Sequence, residues 1–200
     1  MHRAANPIHS VRCGDGIVYL DLREDSYSCE YSPLGIDDET GSVTGEFDSS
    51  VDATVAQAPP EPPGLDPAAP LSLMDIGYFT WAVGRTALRY PGRPLAALIA
   101  RAVNWSQSPE EQGIEHTFVH AAKFRRMCLF LPFRPACLLG SYLMLEYLHL
   151  RGAQADWVFG VQLFPFRAHC WLAADARPLN DRSDNIAFYA PVLVAPGSGS

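Results

Sequence analysis

The sequence contains no apolar run long enough to cross a bilayer. Its best run, CLLGSYLMLEYLHL at residues 137–150, carries Glu146 and His149 and falls short of the roughly 20 residues a spanning helix needs. The five cysteines form no CxxC pair and are odd in number, so neither a disulfide framework nor a zinc cluster is expected. HExxH is absent, and so is GxxxxGK[ST]; no motif points to a resident metal, nucleotide or other cofactor. His116 and His120 stand four apart, a spacing competent for metal ligation, but no third ligand accompanies them. Basic residues are few, 15 Lys and Arg against 22 Asp and Glu for a net charge of −7, which argues against a nucleic-acid partner. The first sixteen residues, MHRAANPIHSVRCGDG, lack an apolar h-region, so the expected compartment is the cytoplasm.

What is present falls into two stretches of different character. Residues 9–31 alternate like β-structure, with HSVRC, IVYLDL and YSCEY separated by the turn signals GDG and REDS; this predicts a three-stranded meander. Residues 34–70 turn polar. A short helix is expected over 49–58, and PPEPPGLDPAAP, with six prolines in twelve residues, reads as a linker because proline removes donors and fixes extended backbone. Beyond it the apolar density rises. Helical spacing is expected over 73–90, 93–105 and 110–128. A further helix is opened by Pro135, apolar on nearly all sides and therefore buried, and capped by Gly152. Two strands, 156–164 and 168–174, and a third extended piece after the DARP turn follow. The fold class is α+β, with two domains, residues 1–70 and 71–200.

Three residues in the second stretch suit one another. Cys137 lies in the first turn of the buried helix, where unpaired N–H groups and the positive end of the helix dipole stabilise a thiolate. His169 lies on a strand, and Asp181 follows twelve residues later, beyond a hairpin. Adjacent antiparallel strands can bring such a pair within hydrogen-bond reach. Nucleophile, base and orienting carboxylate are what thiol catalysis requires. Each alone has a bland reading: helix cysteines usually pack, strand histidines are usually structural, and aspartates after PLN usually make turns. Asn180 and Asp184 are alternatives for the orienting role. Cys170, next to His169, points to the opposite strand face and reads as core, as does Cys128. Cys13 and Cys29 read as packing residues of the meander.

The order helix-Cys, strand-His, strand-Asp resembles that of transglutaminase-like and papain-like thiol enzymes. More narrowly, Cys137 with a Leu-rich helix ending at Gly152, then Gly160, Val161, Pro165, Phe166, Ala168, His169 and Trp171, then Asn180 and Asp181, resembles the B-protein family of lasso-peptide biosynthesis. That resemblance covers roughly residues 85–190. It implies a papain- or transglutaminase-like cysteine endopeptidase domain, with helices packed on an antiparallel sheet and Cys137, His169 and Asp181 as triad. The enzyme would remove the leader from a lasso precursor peptide. The resemblance also implies an N-terminal winged-helix-like recognition domain that adds the leader as a β-strand, its strand pair carrying Leu20, Asp21, Asp25 and Tyr27. Leader contacts are then expected at Tyr19, Leu20, Asp21, Tyr27, Cys29 and Tyr31. The implied partner is an asparagine-synthetase-like cyclase that spends ATP to close the macrolactam ring; any ATP requirement would enter through it. The same triad would also serve acyl transfer to an amine, as in transglutaminases. A chain without the chemistry would remain a leader-binding chaperone.

Overall fold

A computed structural model describes residues 7–14, 16–31, 70–106 and 113–197. The expected 49–58 helix, almost all of the proline-rich linker and the helices of a winged-helix domain lie outside the described residues.

The chain is α+β, with an N-terminal antiparallel sheet, a set of helices and a second antiparallel sheet. The meander forms as its alternation predicts: β1 (Ile8–Cys13), β2 (Gly16–Asp21) and β3 (Ser26–Tyr31) pair antiparallel in the order β1-β2-β3. Along β2 the period of two turns Val18 and Leu20 inward and leaves Ile17, Tyr19 and Asp21 half-covered. Four helices follow: α1 (Leu73–Arg89), α2 (Leu95–Ser106), α3 (Ile114–Cys128) and α4 (Cys137–Leu150). They begin and end within four residues of their sequence-read limits.

A capping box opens α1: the Asp75 N–H donates to Ser72 Oγ at 3.1 Å, and the Ser72 N–H donates to Asp75 Oδ2 at 2.9 Å. Helix α4 is buried from Ser141 through Leu148, in keeping with its all-round apolarity. It ends in a Schellman arrangement: Gly152, at φ 68°, donates to the His149 carbonyl, and Ala153 donates to that of Leu148. Only a residue free to adopt positive φ closes this end without strain.

The second sheet has the order β6-β5-β4-β7, all antiparallel, from β4 (Asp156–Gln162), β5 (Arg167–Ala174), β6 (Arg177–Pro178) and β7 (Ala190–Ala195), with the single turn α5 (Ser183–Ile186) before β7. The third extended piece is thus only two residues long. β7 was not anticipated; Pro191 obscures its Val-Leu-Val run and is tolerated because β7 is an edge strand.

The helices cover one face of this sheet, against Trp157, Phe159, Val161, Cys170 and Leu172. Val158, Trp171, Ala173 and Ile186 pack on the other face. The meander joins the main core rather than building its own. Val11, Val18, Leu20 and Leu22 are buried in one cluster with the helices and the second sheet. β1 packs against β7, and Tyr27 and Tyr31 meet Phe166 and Phe164 edge-on, with centroids 5.7 and 6.4 Å apart.

Candidate active site

Helix α4 presents Cys137 as its first residue. Ala136, in the N-cap position, offers no side-chain acceptor, so the first-turn N–H groups remain available to an anion at the thiol. Cys137 is solvent-accessible. It stands at the stretch of β5 that β6 does not reach, since β6 pairs only with Ala173 and Ala174. There the edge N–H groups of β5 have no strand partner and meet side chains instead. The Leu172 N–H donates to Asn180 Oδ1 at 2.8 Å, and the Cys170 N–H, two residues earlier on the same edge, donates to the Cys137 sulfur.

His169 Nε2 donates to Asp181 Oδ2 at 2.5 Å, which leaves Nδ1 as the ring nitrogen free to serve the thiol. The ring is sandwiched on the far face of the sheet. Trp171 stacks at a centroid distance of 6.0 Å, and Tyr189 lies at 5.3 Å. Gly160, paired with His169 across the ladder, makes room for this: a Cβ there would come within 2.8 Å of the Trp171 ring. Asp181 is itself held, its Oδ1 accepting from the Arg182 N–H at 2.7 Å and from Asn185 Nδ2 at 2.9 Å. It lies past the two-residue β6, in the bend before α5, and not on a neighbouring strand as expected; the carboxylate reaches the histidine from a loop. Asn180 anchors that loop, accepting from Leu172 and donating to Ser141 Oγ of α4 at 2.9 Å. Asp184 pairs with Arg182 at the surface, away from the imidazole.

The electrostatics follow from these contacts. Hydrogen bonds from the Cys170 thiol and from His169 outweigh partial burial and bring the Cys137 thiol down to about 4. The Asp181 and Cys137 hydrogen bonds raise His169 to about 9 against the opposing effect of burial. Cys170, sharing a proton contact with Cys137 and buried, is pushed far up and stays a neutral donor. Near neutral pH the site is a thiolate–imidazolium pair with a thiol and a backbone N–H aimed at the sulfur. Cys137, His169 and Asp181 stand together, the imidazole between the thiol and the carboxylate.

A family model described as the Transglutaminase-like superfamily matches residues 80–194, the segment that carries all three residues. The chain belongs to this superfamily. Its members are in general cysteine-protease-like enzymes, and the α+β fold agrees. No curated protein and no solved structure matched the chain.

Cys170 was missed as part of the site. Strand alternation correctly buries it, but β5's free edge lets Cys137 touch both it and the outward-facing His169. Cys128 is half-buried with its thiol raised by burial to about 11, and Cys13 is half-buried in the meander with its thiol raised mainly by burial; neither touches the site. Among the residues expected to bind a peptide, Leu20 is fully buried in the core and offers a ligand no surface. Tyr19 and Asp21 lie on the outer face of β2, with the Tyr19 hydroxyl donating to Glu30 at 3.1 Å. Tyr27 lies beside the catalytic cysteine candidate, while Cys29 and Tyr31 are exposed on β3. His120 is buried between Tyr147 and Arg151, its two ring nitrogens 3.5 and 3.3 Å from them. No group of three metal-ligating side chains occurs among the described residues.

Proposed function

We propose that this chain is a cysteine endopeptidase that removes the leader from a lasso-peptide precursor. The observation that carries the reading is the Cys137–His169–Asp181 constellation at the N-terminus of a buried helix. The likeness of residues 85–190 to the B-protein family supplies the substrate class. In this reading the Cys137 thiolate adds to the carbonyl at the leader's end, and its own N–H, at the start of α4, donates to the oxyanion. The His169 imidazolium protonates the leaving amine as the C–N bond breaks. Neutral His169 then takes a proton from water, which hydrolyses the thioester and frees the thiol. Asp181 fixes the ring orientation throughout. β3 has no strand on its outer side among the described residues, so the leader can add there, and an asparagine-synthetase-like cyclase then uses the new amine with ATP.

Superfamily membership also favours a second reading, transfer of the acyl group to an amine in place of water. Mass spectrometry of the cognate precursor, incubated with this protein, the cyclase and ATP, separates the possibilities. Free leader bearing a carboxylate supports the peptidase. A leader amide formed only when a primary amine is added supports the transferase. Cys137→Ala is expected to lower either product by at least about a thousandfold. Equal cleavage by wild type and variant would remove Cys137 from the mechanism. Binding without cleavage by either would favour the leader-binding chaperone.

A further inference from the structure

Beside the thiol lies a cavity of about 300 Å³, at the lower end of the size range for small-ligand sites. Its walls come from parts of the chain far apart in sequence. Leu138, Phe159, Tyr90, Leu95 and Leu98 line it, with Asp25 of the β2–β3 turn, Tyr27 of β3 and Arg93, whose side chain is exposed and its charge therefore screened by solvent. The turn is fixed in place. Asp25, at φ 49°, accepts the first N–H of α2, that of Leu95, at 3.1 and 3.2 Å. Its carboxylate thereby caps a helix N-terminus. Tyr27 is raised to about 12 by burial and by the nearby Cys170 and Cys137 thiols, so its phenol stays neutral. His169 must serve the leaving nitrogen, and it is held from the Asp181 side. His169 also lines the cavity, which extends from the thiol–imidazole pair towards α2 and the meander, so a substrate side chain held there lies beside the scissile bond.

We propose that the β2–β3 turn and α2 together form a specificity pocket for an uncharged, apolar or aromatic side chain on the acyl side of the scissile bond. The N-terminal sheet is then part of the peptidase's own substrate site and not only a handle for a distant segment. The inference rests on the thiol-peptidase reading but not on the identity of the precursor.

Short peptide aldehydes test it. The Cys137 thiolate adds to the aldehyde carbon, a C–S bond forms, and the alkoxide takes the His169 proton to give a reversible hemithioacetal. Inhibition constants are measured against the wild-type full chain for aldehydes carrying Ala, Leu, Phe, Asp or Lys at each of the last two positions. The expected result is that Leu or Phe at one position binds at least about tenfold tighter than Ala, and Asp or Lys weaker than Ala. Leu98→Trp, which fills the pocket, and Tyr27→Ala, which removes a wall, should each shrink the Phe-to-Ala ratio. That ratio does not depend on the fraction of protein folded. A flat series on wild type, or no aldehyde binding while iodoacetamide still alkylates Cys137, overturns the pocket. So does a Phe-to-Ala ratio unchanged in both variants. A clear apolar preference in a protein that leaves the precursor whole would overturn the leader-peptidase reading and keep the pocket.

Discussion

In the proposed mechanism three side chains and one neighbouring thiol set the chemistry, and their titration makes it testable. The Cys137 thiolate is present above about pH 4 and the His169 imidazolium below about pH 9. For an acid the depressed value means that the reactive form is lost as pH falls; for a base the raised value means that it is lost as pH rises. Cleavage as kcat/KM should therefore plateau between these limits, with an acid limb near 4 and an alkaline limb near 9. Asp181→Asn removes the largest cause of the raised imidazole, so the alkaline limb should move to lower pH, and kcat should fall about a hundredfold. A pH–rate profile of this variant identical to wild type would deny Asp181 the orienting role. Cys170→Ala removes the foremost hydrogen bond holding the thiol down. The pH at which iodoacetamide half-maximally alkylates Cys137 should move upward towards neutrality; an unchanged midpoint would leave Cys170 a packing residue. At this scale the sequence was readable where chemistry dictates residue type. Cys137, His169 and Asp181 announce themselves by order and spacing. Cys170 does not, because alternation says which face a residue takes but not which edge of the sheet is left open.

At the scale of elements, the helices are tied by two buried carboxylates. Glu146 of α4 accepts from Arg85 at 2.8 Å and from the Tyr142 hydroxyl at 3.2 Å, with Arg89 at 3.7 Å. Asp75 of α1 meets Lys123 of α3 at 3.0 Å and Arg151 at 3.7 Å. Burial would raise Asp75, but the Ser72 and Lys123 contacts prevail and lower it to about 2. Its contribution is thus complete above the ordinary carboxylate range and is lost as pH falls towards 2. His120, lowered to about 4 by burial and the Arg151 charge, adds stability that is complete above its unfolded value near 6.5 and declines towards 4. Unfolding free energy should therefore begin to drop below about pH 6.5, measurable by urea titration at stepped pH. Asp75→Asn leaves two buried-side cations short of a partner and should cost about 3 kcal/mol. Gly160→Val should push Trp171 off the ladder and, through the stacked ring, lower kcat more than it raises KM. All four main helices and the meander were legible from period and caps, since helix spacing and strand alternation are local. The brevity of β6 and the presence of β7 were not, because what decides them is which edge is left for a proline-bearing strand.

The molecule as a whole is knit by its N-terminal sheet. Leu20, with no exposed surface, packs in the same cluster as Phe159, Leu172 and Val192. Leu20→Ala should cost about 3 kcal/mol, within the range for buried leucines, and should lower the unfolding midpoint of the whole protein in one transition; two separate transitions in denaturant would mean that the meander stands alone. Composition located the break in character after residue 31 and the return of apolar density after residue 70. It could not show that the two stretches share a core, because long-range docking leaves no periodic trace.

The packing of β1 on β7 also bears on synthesis. A ribosome makes the thiol, the imidazole and the aspartate before it makes β7, and the meander waits with its inner face uncovered until β7 emerges to meet it. Pairings so distant in sequence close late. A nascent chain therefore holds Cys137, His169 and Asp181 some time before β7 packs on the meander. Competence would come only once β7 has emerged, and until then a growing chain would spare the peptides around it.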